Sequence, residues 1–337
     1  MTTSTGTRTL AALLTAGLLL GACTSSDSDT AETTSNAPSP TDDAAAPDTT
    51  PTDDAAAAAT TATTEAPTST TAEPETPAST DAAPTPDTEP STTITSADSP
   101  VVLVHGAWQD GTSWAQVQEE LEASGRSVSA VTLPGRNGLD AGVQSLAGYR
   151  DAVIAEVERF DEPVILVGHS FGGMTISGVA EAIPDQIESL VYVAAYLPSD
   201  GDSLAGLAAQ DAQSVLAADG NLVIAGDPPV ASVPADRFAE FFCPDCTVSE
   251  ADAVTASAVA EPAGPLLEAI TLTDENFGAV PKRYVQTALD IVVGTDLQQN
   301  MVANAGVSDV VVLETGHAPY VTAASELAAL IEESDIS

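Results

Sequence analysis

Basic residues are scarce in this chain. Its 337 residues include 50 Asp and Glu but only 8 Lys and Arg, which gives a formal net charge of −42, and the single lysine is Lys282. A surface this acidic repels polyanions, so nucleic acid and anionic lipid headgroups are excluded as partners. The charge favours solubility in a saline or alkaline setting, where salt screens the self-repulsion, and it indicates nothing about a reaction.

Cysteine and histidine are equally rare, with three residues of each. Cys243 and Cys246 form a C-x-x-C pair, but a zinc site would need two further soft ligands, and the sequence offers no other cysteine or spare histidine for it. A thioredoxin-like setting is also absent. The sequence therefore predicts no metal site and no cofactor. It leaves open whether the pair forms a local disulfide or Cys246 simply packs within the fold.

Long apolar runs are missing except near the N-terminus, where residues 10–20 follow Arg8. This run is too short to span a bilayer, so residues 1–23 are predicted to be a signal peptide. It ends in Leu-Gly-Ala-Cys, which resembles a bacterial lipobox and predicts lipidation of Cys23. The alternative is an ordinary secretory signal with an incidental cysteine. We expect an extracytoplasmic protein that is attached to the bacterial cell membrane through this lipid anchor only.

Aromatic and basic residues are both absent from residues 24–97, which consist almost wholly of Thr, Ala, Ser, Pro, Asp and Glu and include 14 acidic residues. Such a segment cannot bury enough apolar surface to offset the entropy lost on ordering, so it is predicted to be disordered. As a flexible coil it would reach roughly 50 Å. We interpret it as a tether between a membrane lipid and the remaining domain.

Residues 98–337 are predicted to form one α/β domain with a doubly wound, mostly parallel sheet. Continuous apolar runs at 100–104 and 163–167 are typical of strands that are buried on both faces. Amphipathic helix patterns at 112–123 and 146–160 separate such runs. Because strands and helices alternate, the sheet must be parallel and covered on both sides.

The pattern changes after residue 197, where Ala, Asp, Pro and Gly dominate. Strand-like runs resume only at 282–287. A second run ends at Leu313, and a last helix is predicted over 323–333. The intervening segment, about 199–270, is predicted to be a cap over the functional site.

The most informative motif is Gly-His-Ser-Phe-Gly at 168–172, which follows the strand at 163–167 and precedes a helical stretch at 174–180. A serine between glycines at a strand-to-helix turn is typical of the nucleophile elbow of a serine hydrolase. Side chains at the two glycine positions would collide where the backbone reverses. The motif predicts Ser170 as a nucleophile, with the following helix N-terminus aimed at developing negative charge.

A serine nucleophile needs a base and an orienting acid. His317 follows the last strand, and loops beyond the carboxyl ends of parallel strands converge on one crevice, so His317 is predicted to be the general base and later the general acid. The acid should follow the preceding strand. Asp290 fits this position and Asp296 is the runner-up. The other scattered carboxylates are interpreted as solvated surface.

An oxyanion hole needs backbone N–H donors. Phe171, directly after the nucleophile, and Ala107, in the loop after the first strand, are the predicted donors. His105 precedes this loop and is predicted to bond its backbone. Trp108 and His169 are predicted to contact the substrate pocket, although the His169 side chain should point away from the serine hydroxyl. Trp114 fits either the pocket or the core.

Several of these segments together resemble the α/β-hydrolase superfamily. They are Val-Leu-Val-His-Gly-Ala-Trp at 102–108, the elbow, Tyr-Val-Ala-Ala-Tyr-Leu-Pro at 192–198 and Gly-His at 316–317. Within it, the chain is most similar to the branch of plant methyl-ester esterases, hydroxynitrile lyases and their bacterial relatives, over about residues 100–335. The resemblance implies a mostly helical cap and the same assignment of Ser170, Asp290 and His317, with Ala107 and Phe171 as oxyanion donors.

That branch contains two chemistries. The lyases resemble a design with Thr after the first-strand histidine, or Asn in its place, and Lys after the catalytic histidine; here these positions are Gly106 and Ala318. The resemblance therefore favours hydrolysis of a small, fairly apolar carboxylic ester through an acyl-enzyme. A cyanohydrin lyase and a non-catalytic binding lipoprotein of the same fold are the alternatives. The sequence indicates no oligomeric state.

Overall fold

A computed structural model describes residues 99–136 and 144–334. The predicted signal peptide, Cys23 and the predicted tether lie outside these residues. In the described part of the chain, no helix combines the length and the apolar composition that crossing a membrane requires.

The central element is a six-stranded parallel sheet in the order β2-β1-β3-β4-β8-β9. Side chains on a strand alternate between the two faces, and every residue of β1 and β3 is buried, so both faces of the sheet are covered. The edge strand β9 is partly exposed instead. The strands of this sheet are β1 (Val101–Val104), β2 (Val128–Val131), β3 (Val164–His169), β4 (Ile187–Val193), β8 (Lys282–Thr287) and β9 (Asp309–Leu313).

Helices cover the sheet, with α1 packed against α10 and α2 against α3. The elbow helix α3 is largely buried and also contacts β3 directly. This alternation of strands and helices confirms the predicted doubly wound architecture. The helices outside the cap are α1 (Ala115–Ala123), α2 (Leu146–Val157), α3 (Gly172–Ala182), α8 (Thr295–Ala305), α9 (Pro319–Thr322) and α10 (Ala324–Glu332).

The segment predicted as a cap folds between β4 and β8. Its two ends are joined by hydrogen bonds, from the Gly201 N–H to the Ile270 carbonyl (2.9 Å) and from the Ile270 N–H to the Asp202 carbonyl (2.8 Å). The helices of this segment are α4 (Leu204–Ala208), α5 (Ala235–Phe242), α6 (Val248–Ala256) and α7 (Ala263–Leu267).

The cap also contains a small antiparallel sheet, which the sequence analysis did not predict. Its strands are β5 (Val223–Ala225), β6 (Val230–Ser232) and β7 (Glu261–Pro262), in the order β5-β6-β7. Strands of two or three residues are too short to show the alternation by which a strand is recognised. The cap is therefore mainly helical, but the sheet brings β7 beside residues that follow β1 and β2.

Candidate active site

Ser170 lies at the turn between β3 and α3 in a left-handed backbone conformation, with φ +52°. Its N–H donates to the Val193 carbonyl (3.1 Å), and its carbonyl accepts from the N–H groups of Gly173 (3.1 Å) and Tyr196 (3.0 Å). A non-glycine residue at positive φ persists only when its surroundings hold it there. The end of β4, the residues after it and the first turn of α3 supply those contacts and fix the backbone of the predicted nucleophile.

Two glycines make this turn sterically possible. A Cβ on Gly168 would lie 2.8 Å from the carbonyl group of Gly172, and a Cβ on Gly172 would lie 2.7 Å from the Val104 carbonyl oxygen. Both neighbours are backbone atoms that cannot move aside. The predicted steric requirement for glycine at both positions is confirmed.

His317 and Asp290 form a buried pair beyond the carboxyl ends of β9 and β8. The His317 Nδ1 atom lies 2.7 Å from an Asp290 carboxylate oxygen, and both side chains have no exposed area. An ionised carboxylate only accepts hydrogen bonds, so the His317 Nδ1–H donates to Asp290 and Nε2 is the ring nitrogen that is left to act as a base. Asp296, the runner-up, is exposed in the first turn of α8 instead.

The Asp290 carboxylate is held from several sides. One oxygen accepts from the N–H groups of Val292 (2.8 Å) and Val293 (3.0 Å), and the other accepts from the Thr287 hydroxyl (2.9 Å). The Gln298 side-chain amide lies 3.4 Å from that second oxygen. These donors stabilise the charged carboxylate and fix the direction in which it meets His317.

The Nε2 atom of His317 is buried and has no hydrogen-bond partner among the described residues, so no hydrogen bond joins it to the Ser170 hydroxyl in this structure. The two residues are nevertheless close through His169, the residue before Ser170. The His169 Nε2–H donates to the His317 carbonyl (2.8 Å), and the two rings are 4.7 Å apart. Catalytic hydrogen bonds often tighten only when substrate binds.

His169 itself is almost completely buried and packs against the rings of His317, Trp114 and Tyr320. Burial, and then the neighbouring His317, hold the pKa of His169 well below its ordinary value, so the ring is neutral. Its side chain supports the His317 loop, whereas the sequence analysis assigned it to the substrate pocket. Trp114 is fully buried in the same cluster, which places it in the core.

His105 orders the loop that follows β1. Its Nδ1–H donates to the Gly106 carbonyl (2.8 Å), and its Nε2 accepts from the Leu133 N–H (3.0 Å). Burial, reinforced by the charge of Arg136, lowers the pKa of His105 to about 3. The predicted structural role of His105, bonding loop backbone, is confirmed.

The two predicted oxyanion donors come from different segments: Phe171 follows Ser170 directly, and Ala107 lies in the loop after β1. Phe171 directly precedes α3 as its N-cap residue, and its N–H has no acceptor among the described residues; the same is true of the Ala107 N–H. Gly106 lies beside Ser170, because a Cβ built at position 106 would be 2.8 Å from the Ser170 Cβ. The loop after β1 therefore approaches the elbow closely.

An aromatic ring of the cap packs against His317 and against the loop after β1. The Phe242 ring of α5 lies 5.5 Å from the His317 ring and 5.6 Å from the Trp108 ring. Trp108 is only 7% exposed and its indole N–H donates to the Ala231 carbonyl (3.0 Å). The cap therefore covers His317 with an apolar ring.

A buried cluster of charged and polar residues, which no sequence pattern indicated, lies next to this site. Glu261, at the start of β7, is completely buried, and its carboxylate lies 2.7 Å from the guanidinium of Arg136. The Tyr149 hydroxyl donates to the same carboxylate (2.9 Å), as does the Trp108 N–H (3.2 Å). The interpretation of the scattered carboxylates as solvated surface is wrong for Glu261, because partners that are distant in sequence surround it.

Cys243 and Cys246 form a disulfide, which resolves the alternative that the sequence left open. The short loop that they close packs against the residue before His317. A Cβ on Gly316 would lie 2.6 Å from a carboxylate oxygen of Asp245 and 2.7 Å from Pro244. In the described part of the chain, no three His, Cys, Asp or Glu side chains are arranged to hold a metal ion.

The chain belongs to the α/β hydrolase family, whose sequence model matches residues 101–330. Putative methylesterase 11 of Arabidopsis thaliana is 29% identical over 248 residues, which cover 69% of this chain and 63% of the relative. A carbendazim-hydrolysing esterase of a Nocardioides species is 42% identical over 111 residues, which cover 32% of this chain and 46% of the relative. The chain thus spans less than two thirds of the length of either relative.

A solved structure of a pyrethroid hydrolase from Sphingobium faniae superimposes with a TM-score of 0.61 at 23% identity. The match covers 71% of this chain and 98% of the other. At this identity the similarity concerns the fold, and it agrees with the parallel sheet described above.

Proposed function

We propose that this protein hydrolyses carboxylic esters of small, fairly apolar molecules, with Ser170 as nucleophile, His317 as base and Asp290 as the acid that orients it. The observation that carries the proposal is the buried His317–Asp290 pair, which leaves Nε2 without a partner among the described residues and contacts His169, the residue before Ser170. Esterase names among the relatives support the same class of reaction. The apolar rings of Trp108 and Phe242 favour an apolar substrate.

In the first half of the reaction, Nε2 of His317 removes the proton of the Ser170 hydroxyl as its oxygen attacks the ester carbonyl. The carbonyl π electrons move onto oxygen, and the N–H groups of Ala107 and Phe171 stabilise this oxyanion. Asp290 stabilises the imidazolium and does not take the proton. When the tetrahedral intermediate collapses, His317 protonates the departing alcohol and leaves an acyl group on Ser170.

In the second half, His317 removes a proton from water, which attacks the acyl carbonyl and forms a second oxyanion in the same position. Collapse releases the carboxylic acid and returns the proton to Ser170. Each oxyanion donor is expected to contribute about 10²–10³-fold to kcat.

A lyase reaction is less well supported. An ammonium beside the base would assist departure of cyanide, but the position after His317 is Ala318, which is completely buried. At the other position, Gly106, a side chain would meet Ser170 and His169 at less than ordinary contact distance. These positions favour the hydrolase over the lyase.

The experiment compares turnover of short p-nitrophenyl esters by the wild type, Ser170→Ala and a control, Ser232→Ala, whose hydroxyl lies on the exposed side of the cap sheet. We expect Ser170→Ala to abolish turnover and Ser232→Ala to leave it unchanged. Turnover by the purified Ser170→Ala protein at the wild-type rate would reject the assignment. Mandelonitrile serves as a parallel substrate, and cyanide release above background would favour the lyase.

We also propose that the protein acts outside the cytoplasm, anchored by a lipid on Cys23 and separated from the membrane by residues 24–97. The lipobox-like sequence and the composition of the tether support this. Detergent-phase partitioning of the wild type and of Cys23→Ser tests it. We expect the wild type in the detergent phase and the variant in the aqueous phase; equal partitioning would contradict the anchor.

A further inference from the structure

Trp108, directly after the proposed donor Ala107, is held by the cap at three points. Its N–H donates to Glu261 (3.2 Å), its carbonyl accepts from the Val259 N–H (2.9 Å), and its indole N–H donates to the Ala231 carbonyl (3.0 Å). These three bonds cross from the loop after β1 to a segment more than a hundred residues away. The cap therefore determines where this loop lies.

The backbone of Trp108 requires such support, because its φ is +59°. A non-glycine residue in this conformation is strained and relaxes unless its neighbours prevent it. The Trp108 N–H belongs to the peptide group that immediately follows Ala107. Fixing that peptide limits the rotation of the Ala107 backbone, and with it the direction of the Ala107 N–H.

The Glu261 carboxylate, which accepts the Trp108 N–H, is held firmly in place by its own neighbours. Both its own side chain and that of Arg136 have no exposed area, and the two charges are 2.7 Å apart. Its second oxygen accepts from the Tyr149 hydroxyl (2.9 Å), which in turn accepts from Arg136 (3.1 Å). A buried carboxylate with three neighbouring donors has little freedom to move.

The charge of this cluster is also balanced. Burial raises the pKa of Glu261, whereas the Arg136 guanidinium and the donors of Tyr149 and Trp108 act in the opposite direction. An unpaired carboxylate here would oppose negative charge developing nearby on a substrate. Arg136 neutralises it.

We propose that Glu261 is a positioning residue of the oxyanion hole. Its bond to Trp108 fixes the direction of the Ala107 N–H, and Arg136 neutralises its charge. This inference rests on the proposed ester hydrolysis. It makes the cap part of the catalytic geometry as well as a cover over the substrate. Loss of the connection should weaken binding of the oxyanion more than binding of the ester.

The test uses two double variants that both remove the buried charges and so avoid an unpaired ion. Glu261→Gln with Arg136→Met retains an acceptor for the Trp108 N–H, and Glu261→Leu with Arg136→Met does not. The measurements are kcat and KM on p-nitrophenyl acetate and the Ki of a trifluoromethyl ketone. Ser170 adds to this ketone, and the carbonyl oxygen becomes an anion in the hole.

We expect the glutamine pair to retain kcat within about 5-fold of the wild type. The leucine pair should lose about 10²-fold in kcat and gain a similar factor in Ki, with KM changed by less than about 3-fold. Glu268→Leu is the matched control, because Glu268 bonds the cap to the Leu146 N–H (2.9 Å) and not to Trp108. Its kcat and Ki should stay within about 2-fold of the wild type.

Trp108→Phe weakens the attachment of the loop to the cap with the ion pair intact, since it removes the indole bond to Ala231 and part of the ring but keeps the backbone bonds to Glu261 and Val259. We expect kcat and Ki to change together by about 2- to 10-fold. Equal kcat and Ki in the two double variants, or a fall in kcat without a rise in Ki, would overturn the proposal. An absence of Ser170-dependent turnover in the wild type would instead reject the ester hydrolysis on which it rests.

Discussion

The two sides of the proposed oxyanion hole are held in different ways. On the elbow side, backbone atoms fix the turn. The Ser170 N–H and carbonyl bond to residues at and beyond the end of β4, and Gly172 lies against the Val104 carbonyl. On the other side, most of the bonds that hold the loop after β1 involve a side chain, as in His105 to Leu133 and Glu261 to Trp108, and one backbone bond from Val259 joins them.

The difference has a physical consequence. Backbone contacts within a sheet survive most substitutions, because every residue type except proline carries the same N–H and carbonyl groups. Contacts made by side chains from a cap are lost with a single substitution. The elbow should therefore be robust to changes in the cap, whereas the position of Ala107 should depend on them.

The largest effect is expected where a side chain enters the elbow. Gly172→Ala would put a Cβ 2.7 Å from the Val104 carbonyl oxygen and 2.9 Å from the His105 carbonyl oxygen. We expect turnover to fall below detection and the free energy of unfolding to fall by about 1–3 kcal/mol.

Gly178→Ala is the matched control in the same helix, because its nearest neighbour would be 3.6 Å away. It should retain activity and gain up to about 1 kcal/mol from the better helix propensity of alanine. Urea titration and p-nitrophenyl acetate turnover measure both effects. Full activity in Gly172→Ala would show that the elbow tolerates more than its geometry suggests.

The next effect concerns the base, which belongs to neither side of the hole. Asp290→Asn should lower kcat by about 10³–10⁴-fold, because an amide does not fix the His317 tautomer. Asp296→Asn, at an exposed position, should leave kcat within about 2-fold of the wild type. Comparable losses in both variants would contradict the pairing seen in the structure.

Acid should affect the loop after β1 through its histidine. His105 has a pKa of about 3 when folded and an ordinary value near 6.5 when unfolded, so the unfolded chain binds more protons between these values. Its contribution to stability is therefore present above about pH 6.5 and is lost as the pH falls towards 3, at up to about 1.4 kcal/mol per pH unit.

Urea titrations of the wild type and His105→Gln over this pH range isolate the effect, since all other titrating groups are common to both proteins. The variant should show a shallower loss of stability with acid. Parallel curves would mean that folding does not lower the pKa of His105.

The smallest effect concerns the cap beside His317. Replacing both Cys243 and Cys246 with Ala should lower the free energy of unfolding by about 2 kcal/mol, the chain-entropy value for so short a loop. Turnover should change by less than about 5-fold. Reductant should lower the melting temperature of the wild type and leave that of the variant unchanged; an equal response would contradict a stabilising disulfide.

The contrast between local backbone contacts at the elbow and distant side-chain contacts from the cap also explains which features the sequence could predict. The elbow, the order of strands and helices, and the identities of His317 and Asp290 follow from local patterns and from chain order. The β7 strand has two residues and no pattern of its own. Glu261 was indistinguishable from a surface carboxylate, because its partners Trp108 and Tyr149 lie 153 and 112 residues away.

The most direct test is to locate a covalent adduct. The purified domain is treated with a fluorophosphonate, and the site and stoichiometry are read by intact-mass and peptide mass spectrometry. We predict one adduct per chain on Ser170, none in Ser170→Ala, and strongly slowed labelling in His317→Ala. An adduct on another residue, or labelling of His317→Ala at the wild-type rate, would contradict the assignment of nucleophile and base.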